Sequence, residues 1–242
     1  MEKRKDAQIY ILYHYDTDYG VWDNSLYTPQ SVFDSEIGAL NPIYCETTGT
    51  YNVWKTHPKD LKYVGQCQYR RRLEFPEDFD FDKVFENFDI ITASPADSPC
   101  TLKQQYADCH NVEDIELMEY ILRANYPEYA KDWEEHINNG VTLFYSQGYV
   151  MRAKDFDAYC SWLFSLFEKF CHAAGMDTVE QAQDHIFKAA LAGKYGEITI
   201  PSLRYQTRIC GYLAERLITT YIYHNFKKVQ CFPYKKMEDI PL

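Results

Sequence analysis

The residues best suited to chemistry are three consecutive arginines, which follow a predicted strand in the first third of the chain. They end the sequence Gln-Tyr-Arg-Arg-Arg at positions 68–72. Guanidinium groups bind phosphate oxygens in pairs and keep their charge at physiological pH, and ligands of open α/β sheets bind beyond the carboxyl ends of the strands. Alternation along a strand would turn Arg70 and Arg72 to one face and Arg71 to the other. The cluster predicts a phosphate site, or else a structural cluster that pairs with nearby glutamates.

A second polar set lies near the C-terminal end and has the spacing of one helical face. It comprises Arg204, Arg208, Gly211 and Glu215, which are three or four residues apart. Such a face would bind phosphate or sugar, with Glu215 orienting an arginine, and an intrahelical ladder of salt bridges fits the spacing equally well. A glycine inside a helix costs about 1 kcal/mol relative to alanine, so Gly211 predicts the close approach of a backbone or ligand.

Acidic residues and histidines supply weaker candidates. Asp16 and Asp18 follow the first predicted strand, and such carboxylate pairs can hold Mg²⁺ or Mn²⁺ against a pyrophosphate. A solvated loop is the simpler explanation in an acidic chain, so no metal site is assigned and Mn²⁺ or Mg²⁺ stays open as a cofactor. Glu46 lies in a polar predicted helix, from which it could reach a crevice. His14 and His110 are isolated, and structural roles are their simplest interpretation.

The composition disfavours several classes of function. The chain has 25 lysines and arginines against 36 aspartates and glutamates, and this net charge of −11 repels nucleic-acid backbones. The sequence contains no glycine-rich phosphate loop and no signature of a serine hydrolase or zinc protease. The 22 tyrosines and 14 phenylalanines suit surfaces that stack on sugars or bases, although a biased composition explains them equally well.

Nothing in the sequence predicts export or a membrane span. The eight cysteines have no metal-ligand spacing, the charged start Met1–Lys5 does not resemble a signal peptide, and no apolar run is long enough to span a bilayer. We therefore expect a cytoplasmic protein. Its basic and aromatic end, with Lys227, Lys228, Lys235 and Lys236, predicts either a peripheral contact with the inner membrane or a solvated tail.

The elements that must position these residues alternate along the chain. Strands are predicted at 8–13, 61–69, 88–93, 143–152 and 198–200. Helices are predicted at 41–55, 127–140, 178–193 and 201–225; a further helix begins near residue 111, and another follows the strand at 143–152 and ends at residue 175. Asn41 is the predicted N-cap of its helix, and Thr178 with Gln181 forms a predicted capping box. Strands separated by helices predict an α/β fold with a mostly parallel central sheet, which the helix-rich second half covers.

In their order, the motifs of this chain resemble those of a bacterial family known as domain of unknown function 4422. They comprise Asn41 with Tyr44-Cys45-Glu46-x-Thr48-x-x-Tyr51-x-x-Trp54-Lys55, Tyr63-Val64-Gly65 leading to Tyr69-Arg70-Arg71, Asp89-Ile90-Ile91, Tyr106 with His110, Phe156-Asp157-x-Tyr159-Cys160-x-Trp162-Leu163-Phe164, and Tyr205-Gln206-x-Arg208-x-x-Gly211-Tyr212-Leu213-Ala214-Glu215-Arg216-Leu217. Each motif is weak alone, but the ordered set is specific. Two positions depart from the family's pattern, since Gln68 stands where the family usually has His and Gln147 where Asn is common.

The resemblance implies a glycosyltransferase of GT-A-like (Rossmann-like) fold that acts in capsule or lipopolysaccharide synthesis. Such a hexosyltransferase-type enzyme would take a nucleotide-diphosphate sugar as donor and a glycan or lipid-linked glycan as acceptor. The implied donor and pyrophosphate contacts are Tyr13, His14, Tyr69, Arg70, Arg71, Gln206 and Arg208. The candidate catalytic bases are Glu46 and Glu215, and the implied acceptor contacts are His110, Gln147 and Gly148.

We expect a single domain over residues 1–242. Residues 1–100 would form the nucleotide-sugar half, 101–225 the helix-rich acceptor half, and 226–242 the basic and aromatic tail. A rival interpretation is a non-catalytic nucleotide- or carbohydrate-binding subunit of a polysaccharide assembly complex, which the departure at Gln68 keeps open. A third is a nucleotide-sugar hydrolase, which would release free sugar without an acceptor.

Overall fold

Most of the apolar runs predicted as strands form a central sheet in the computed structural model, which describes residues 2–15, 23–195 and 203–236. The strands are β1 (Ala7–Tyr13), β2 (Tyr27–Ser31), β3 (Tyr63–Gln68), β4 (Arg71–Arg72), β5 (Ile90–Ala93), β6 (Ala96–Asp97), β7 (Thr142–Leu143), β8 (Tyr149–Arg152), β9 (Val229–Phe232) and β10 (Lys235–Lys236). Within the described ranges, β6 and β7 pair with each other and the other eight strands form one sheet. The predicted strand at 198–200 lies outside these ranges.

Six strands make the body of this sheet, in the order β2-β1-β3-β8-β5-β9. Five of them run in one direction and β8 runs in the other, which confirms the predicted α/β fold with a mostly parallel sheet. β1 and β3 are buried almost throughout, because helices cover both faces of such a sheet. The short strands β4 and β10 extend the end of β3 as an antiparallel ribbon.

Helices bury two hydrophobic cores against the sheet. The α-helices are α1 (Asn41–Tyr44), α2 (Thr47–Thr56), α3 (Phe81–Phe85), α4 (Leu102–Cys109), α5 (Val112–Asn125), α6 (Ala130–Trp133), α7 (Ala153–Ala174), α8 (Val179–Leu191), α9 (Leu203–Gln206) and α10 (Ile209–Asn225). Alternation along β1 sends Tyr10 and Leu12 into the larger core, with α5, α7 and α10, and Ile9 and Ile11 into the smaller one. No helix in the described ranges is both long and apolar enough to cross a membrane.

Several helix ends lie where the sequence predicts them. Asn111 caps α5 with its side chain, and Thr178 and Gln181 form the capping box of α8. α7 ends at Gly175, whose φ of +65° is in the left-handed region that glycine favours. Local capping chemistry therefore sets these three boundaries.

Two predicted helices are each broken in two, and the break in the first helix lies against the break in the last. Asn41 lies inside α1 and is not its N-cap, and Cys45 separates α1 from α2 with a φ of +54°. The final helix is likewise split into α9 and α10 at Thr207 and Arg208. A Cβ atom on Gly211 would lie 2.6 Å from the Cys45 sulfur, so the close approach predicted at Gly211 is to this turn.

The predictions of strand and tail near the two ends were incomplete. β2 was missed because its sequence, Tyr-Thr-Pro-Gln-Ser, contains a proline. The prediction of a tail from residue 226 was wrong for residues 229–236, since β9 pairs with β5 and β10 with β4. Phe232 packs on Phe75 and Phe226 is buried, so the predicted membrane contact rests on the lysines alone.

Candidate functional site

A cleft of about 890 Å³ opens at the sheet edge where β1 and β3 end and β8 begins. β8 runs opposite to β3, so the residues that follow β1 and β3 meet those that precede β8. The turn between α1 and α2 and the start of α10 form another wall. A cleft of this size accommodates an organic ligand of several rings.

Nine of the twelve site residues predicted within the described ranges line this cleft. They are His14, Glu46, Tyr69, Arg70, Arg71, His110, Gln147, Arg208 and Glu215. The other three lie outside its lining. Tyr13 is the half-buried last residue of β1, Gln206 is buried behind His110, and Gly148 lies behind Tyr234. The candidate metal ligands Asp16 and Asp18 are outside the described ranges.

Positive charge is concentrated in the cleft. The lining contains Arg70, Arg71, Arg204, Arg208 and Arg216. Among the residues that the structure describes, its carboxylates are Glu46 and Glu215, so five cations face two anions and leave a surplus of three positive charges. This surplus lies inside a chain whose net charge is −11. A concave site of this sign attracts a phosphate-bearing small molecule.

The three consecutive arginines have separate places. Arg70 lies over the ring of Tyr69 at 5.0 Å and Arg71 over that of Tyr145 at 5.4 Å, and both line the cleft. Arg72 is only 3% exposed and lies 3.9 Å from Glu74, with its pKa lowered by burial to about 10. The prediction of simple alternation was wrong, because the chain turns at Tyr69 and Arg70 before β4 begins.

Glu46 is held by a network that reaches Arg208. The side-chain amide of Gln68 donates to Glu46 Oε1 at 2.6 Å, and Arg208 Nη2 lies 3.7 Å from the same oxygen. Arg208 Nε also donates to the Cys45 sulfur at 3.0 Å. Gln68, one of the two positions predicted to depart from the pattern of the resembled family, thus contacts the Glu46 carboxylate directly, and Glu46 is engaged in placing Arg208.

Glu215 is the more open carboxylate. Its side chain is 31% exposed to the cleft, and Arg216 Nη1 lies 3.5 Å from Glu215 Oε2. Burial raises the pKa of Glu215, while Arg216 lowers it and Glu46 raises it further. Arg216 is itself buried and is fixed by hydrogen bonds to the Tyr212 carbonyl, at 3.1 Å, and to the Gln105 side chain.

His110 presents a neutral imidazole at the side of the cleft. Burial lowers the pKa of His110 to about 4, and its ring stacks on Tyr212 with centres 4.0 Å apart. Its Nδ1 bonds Gln206 Oε1 at 2.9 Å, and the amide of Gln206 donates to the Cys109 carbonyl. Because Gln206 Oε1 can only accept, Nδ1 carries the proton and Nε2 is left as an acceptor. Gln206 therefore orients His110.

The lining also contains Arg204, Arg216, Tyr145 and Tyr234, which are not among the site residues that the family resemblance implies. Arg204 and Arg216 belong to the polar end of the chain that had been singled out, so their charge was an available signal. The two tyrosines had none. In the part of the chain that the structure describes, no group of three or more His, Cys, Asp or Glu residues could hold a metal ion.

Comparison with known proteins gives two matches. The sequence model of the family described as domain of unknown function (DUF4422) matches residues 32–190. Among solved structures, the apo structure of a WbbM bifunctional glycosyltransferase is similar, with a TM-score of 0.73 and 20% sequence identity. This match covers 97% of the present chain and 46% of the other, so the chain has the fold of somewhat less than half of that protein. No curated protein matches the sequence.

Proposed function

We propose that this chain, which belongs to the DUF4422 family, is a glycosyltransferase that moves a sugar from a nucleotide-diphosphate donor to a capsule or lipopolysaccharide glycan. Its fold is that of a known glycosyltransferase. The observation that carries the proposal is the convergence of five arginines and two carboxylates in one cleft, at the edge where parallel strands end. Phosphate neutralisation and proton transfer are the two tasks that sugar transfer requires.

The diphosphate is the part of the donor that the arginines suit. Arg70 and Arg71 on one side of the cleft and Arg208 on another would bind its oxygens. Charge builds on the diphosphate as its bond to the sugar breaks, so fixed guanidinium groups stabilise the transition state more than the ground state. His14 and Tyr69, with ring centres 6.4 Å apart at the ends of β1 and β3, would flank the nucleoside.

Glu215 is the better candidate for the general base, since Glu46 is engaged with Gln68 and Arg208. Burial raises the pKa of Glu215, and its side chain faces the cleft, which suits a group that accepts a proton there. As the acceptor oxygen bonds to the anomeric carbon, Glu215 would take the hydroxyl proton and the bond to the diphosphate would break. His110, through its free Nε2 lone pair, and Gln147 would orient acceptor hydroxyls.

A metal ion has no assigned role in this proposal. Mn²⁺ or Mg²⁺ would supply further neutralisation of the diphosphate. The two described carboxylates of the cleft are too few to form a site by themselves, and Asp16 and Asp18 lie outside the described ranges. The donor screen is therefore run both with and without Mn²⁺.

The test is a thermal-shift screen of the full chain against nucleotide sugars and free nucleotides, followed by turnover assays. A ligand at a hundred times its Kd stabilises the folded state by about 2.7 kcal/mol, so one donor class should raise the melting temperature. Arg70→Ala and Arg208→Ala should abolish both the shift and turnover while the protein stays folded. Arg123→Ala, on an exposed face of α5, is the matched control.

Each failure of this test has a distinct meaning. Wild-type activity in both cleft variants would contradict the assigned site. Donor binding without turnover on any glycan would favour the binding-subunit interpretation. Release of free sugar in the absence of an acceptor would favour the hydrolase.

A further inference from the structure

One wall of the cleft comes from the segment that the sequence predicts to be a tail. β10 pairs with β4, and this pairing brings the preceding residue, Tyr234, against Tyr145 with ring centres 5.1 Å apart. Both rings line the cleft, and each is only half-buried, so part of its surface is open. We call Tyr145 and Tyr234 the aromatic wall.

The contacts around the aromatic wall hold it in a fixed position. The Tyr234 hydroxyl donates to the carbonyl of Gln147. The next residue, Gly148, has a φ of +142°, and a Cβ atom there would lie 2.1 Å from the Tyr234 hydroxyl oxygen. Glycine is therefore required at position 148 both by the backbone conformation and by the tyrosine that packs on it.

The strands on either side anchor the segment that carries Tyr234. Before it, Phe232 stacks edge-on against Phe75, with ring centres 5.3 Å apart, and its carbonyl accepts from Ser94 N at 2.8 Å. After it, Lys235 Nζ lies 2.7 Å from Glu74 Oε2. The wall is thus a built part of the cleft.

The chemical character of the wall differs from that of the rest of the cleft. The arginines supply charge for phosphate, whereas the wall supplies two aromatic rings that are tilted by 59° to each other. Arg71 covers the Tyr145 ring from one side at 5.4 Å, and the polar side chains of Ser146 and Gln147 lie beside it. An apolar face bordered by hydrogen-bonding groups matches a sugar ring, which has C–H bonds on its face and hydroxyls at its edge.

We propose that the aromatic wall is the subsite for a sugar ring, whose C–H bonds pack against Tyr145 and Tyr234 while the neighbouring polar groups bind its hydroxyls. This inference rests on the proposed function, because it assigns a place in the cleft to one of the two sugars that the reaction joins. The donor sugar and the terminal acceptor sugar offer the same chemistry to the wall. The experiment separates the two sources.

The experiment measures dissociation constants for the full chain by titration in ligand-observed NMR. The probes are UDP, UDP-glucose and UDP-galactose, and the methyl glycosides of glucose and galactose with and without UDP. The variants are Tyr145→Leu, Tyr234→Leu and Tyr234→Phe, and the control is Tyr120→Leu, a tyrosine that is 72% exposed on α5. Thermal melting establishes which variants are folded.

The expected result is a selective loss of sugar affinity. Kd for UDP should stay unchanged, and Kd for sugar-bearing probes should rise about two- to tenfold in the leucine variants, as for other aromatic contacts. Tyr234→Phe should keep most of the affinity because it keeps the ring. A rise confined to UDP-sugars assigns the wall to the donor, and one confined to methyl glycosides assigns it to the acceptor.

Two results would overturn the inference. One is a wild-type protein that gains no affinity from a sugar, either in UDP-sugars compared with UDP or in methyl glycosides. The other is a leucine variant whose sugar affinity is unchanged, or falls only in step with its UDP affinity. If Tyr234→Leu does not fold, Tyr145→Leu decides the test. Failure of wild type to bind any nucleotide would instead count against the proposed function, and the methyl glycosides would still test the wall.

Discussion

Glu215 has the surroundings of a proton acceptor in the cleft. Burial raises its pKa, and its side chain remains 31% exposed, which suits a base that works near neutral pH. We expect Glu215→Gln to lower kcat about 10²- to 10⁴-fold while Kd for the donor is little changed, as measured by single-turnover kinetics and calorimetry. In the wild type, turnover should fall with decreasing pH as Glu215 is protonated, at a higher pH than for an ordinary glutamate.

Glu46→Gln is the matched control for that substitution. Gln68 and Arg208 both contact Glu46 Oε1, so its removal should disturb Arg208 and raise the donor KM more than it lowers kcat. A Glu215→Gln protein with normal kcat beside an inactive Glu46→Gln protein would reverse the two assignments.

His110 should make the stability of the protein depend on pH. Burial lowers its pKa to about 4, whereas an imidazole in the unfolded chain titrates near 6.5. Its contribution to stability is therefore complete above about pH 6.5 and is lost as the pH falls toward 4, because only the unfolded state binds the proton. We expect His110→Asn to reduce the loss of unfolding free energy over that interval by up to about 3 kcal/mol, as measured by urea denaturation. Equal losses in the two proteins would contradict this.

The start of α10 packs against the turn between α1 and α2, and residues from both segments line the cleft. A Cβ atom on Gly211 would lie 2.6 Å from the Cys45 sulfur and 2.9 Å from its Cβ atom. Gly211→Ala should therefore destabilise the protein by about 1–3 kcal/mol and weaken donor binding, because the displaced Cys45 contacts Arg208. Denaturation and calorimetry measure the two effects.

Cys45→Gly provides the control for Gly211→Ala. It removes both atoms that the new methyl group would meet, and the φ of +54° at this position suits glycine. The stability lost in Gly211→Ala should be largely recovered in the double variant, whose coupling a double-mutant cycle measures. If the losses of unfolding free energy in the two single variants simply add in the double variant, the strain does not arise from contact between positions 211 and 45.

Local patterns predicted the elements whose ends are set by local chemistry. The capping box at Thr178 and the glycine after α7 act within a few residues, so the sequence around them was sufficient. The break at Cys45 was not predictable in this way, because α10 packs against it from more than 160 positions further along the chain. β9 was missed for a similar reason, since four residues pair with a strand from the first half of the chain.

Some residues of the candidate site were likewise predictable from the sequence, and others depend on contacts between distant segments. Charge and motif order were enough to propose Arg70, Arg71, Arg208 and Glu215, which the fold brings into one cleft. The separate burial of Arg72 depends on the turn that ends β3, which strand alternation does not reveal. Tyr234 enters the cleft through the pairing of β10 with β4, a contact between segments more than 160 positions apart in the sequence.

The distribution of charge over the molecule fits a small anionic ligand better than a polymeric one. The chain carries a net charge of −11, whereas the described residues of its cleft have a surplus of three positive charges. The acidic chain as a whole repels a polyanion, but a diphosphate is small enough to enter the cleft and be bound there. Because the attraction is local, binding of the donor should weaken only moderately with salt.

The C-terminal strands complete both the sheet and the cleft, so the stability of the whole molecule should depend on them. A chain ended after Lys228 loses β9, which leaves the β5 edge unpaired and uncovers Phe75. Removal of a fully buried phenylalanine side chain costs about 3–5 kcal/mol, and loss of the half-buried Phe232 should cost part of that, so the melting temperature should fall by roughly 5–10 °C. A chain ended after Lys236 keeps every strand named above and should melt at a higher temperature than the chain ended after Lys228. Equal melting temperatures for the two truncated proteins, measured by circular dichroism, would mean that β9 adds nothing to the stability of the sheet.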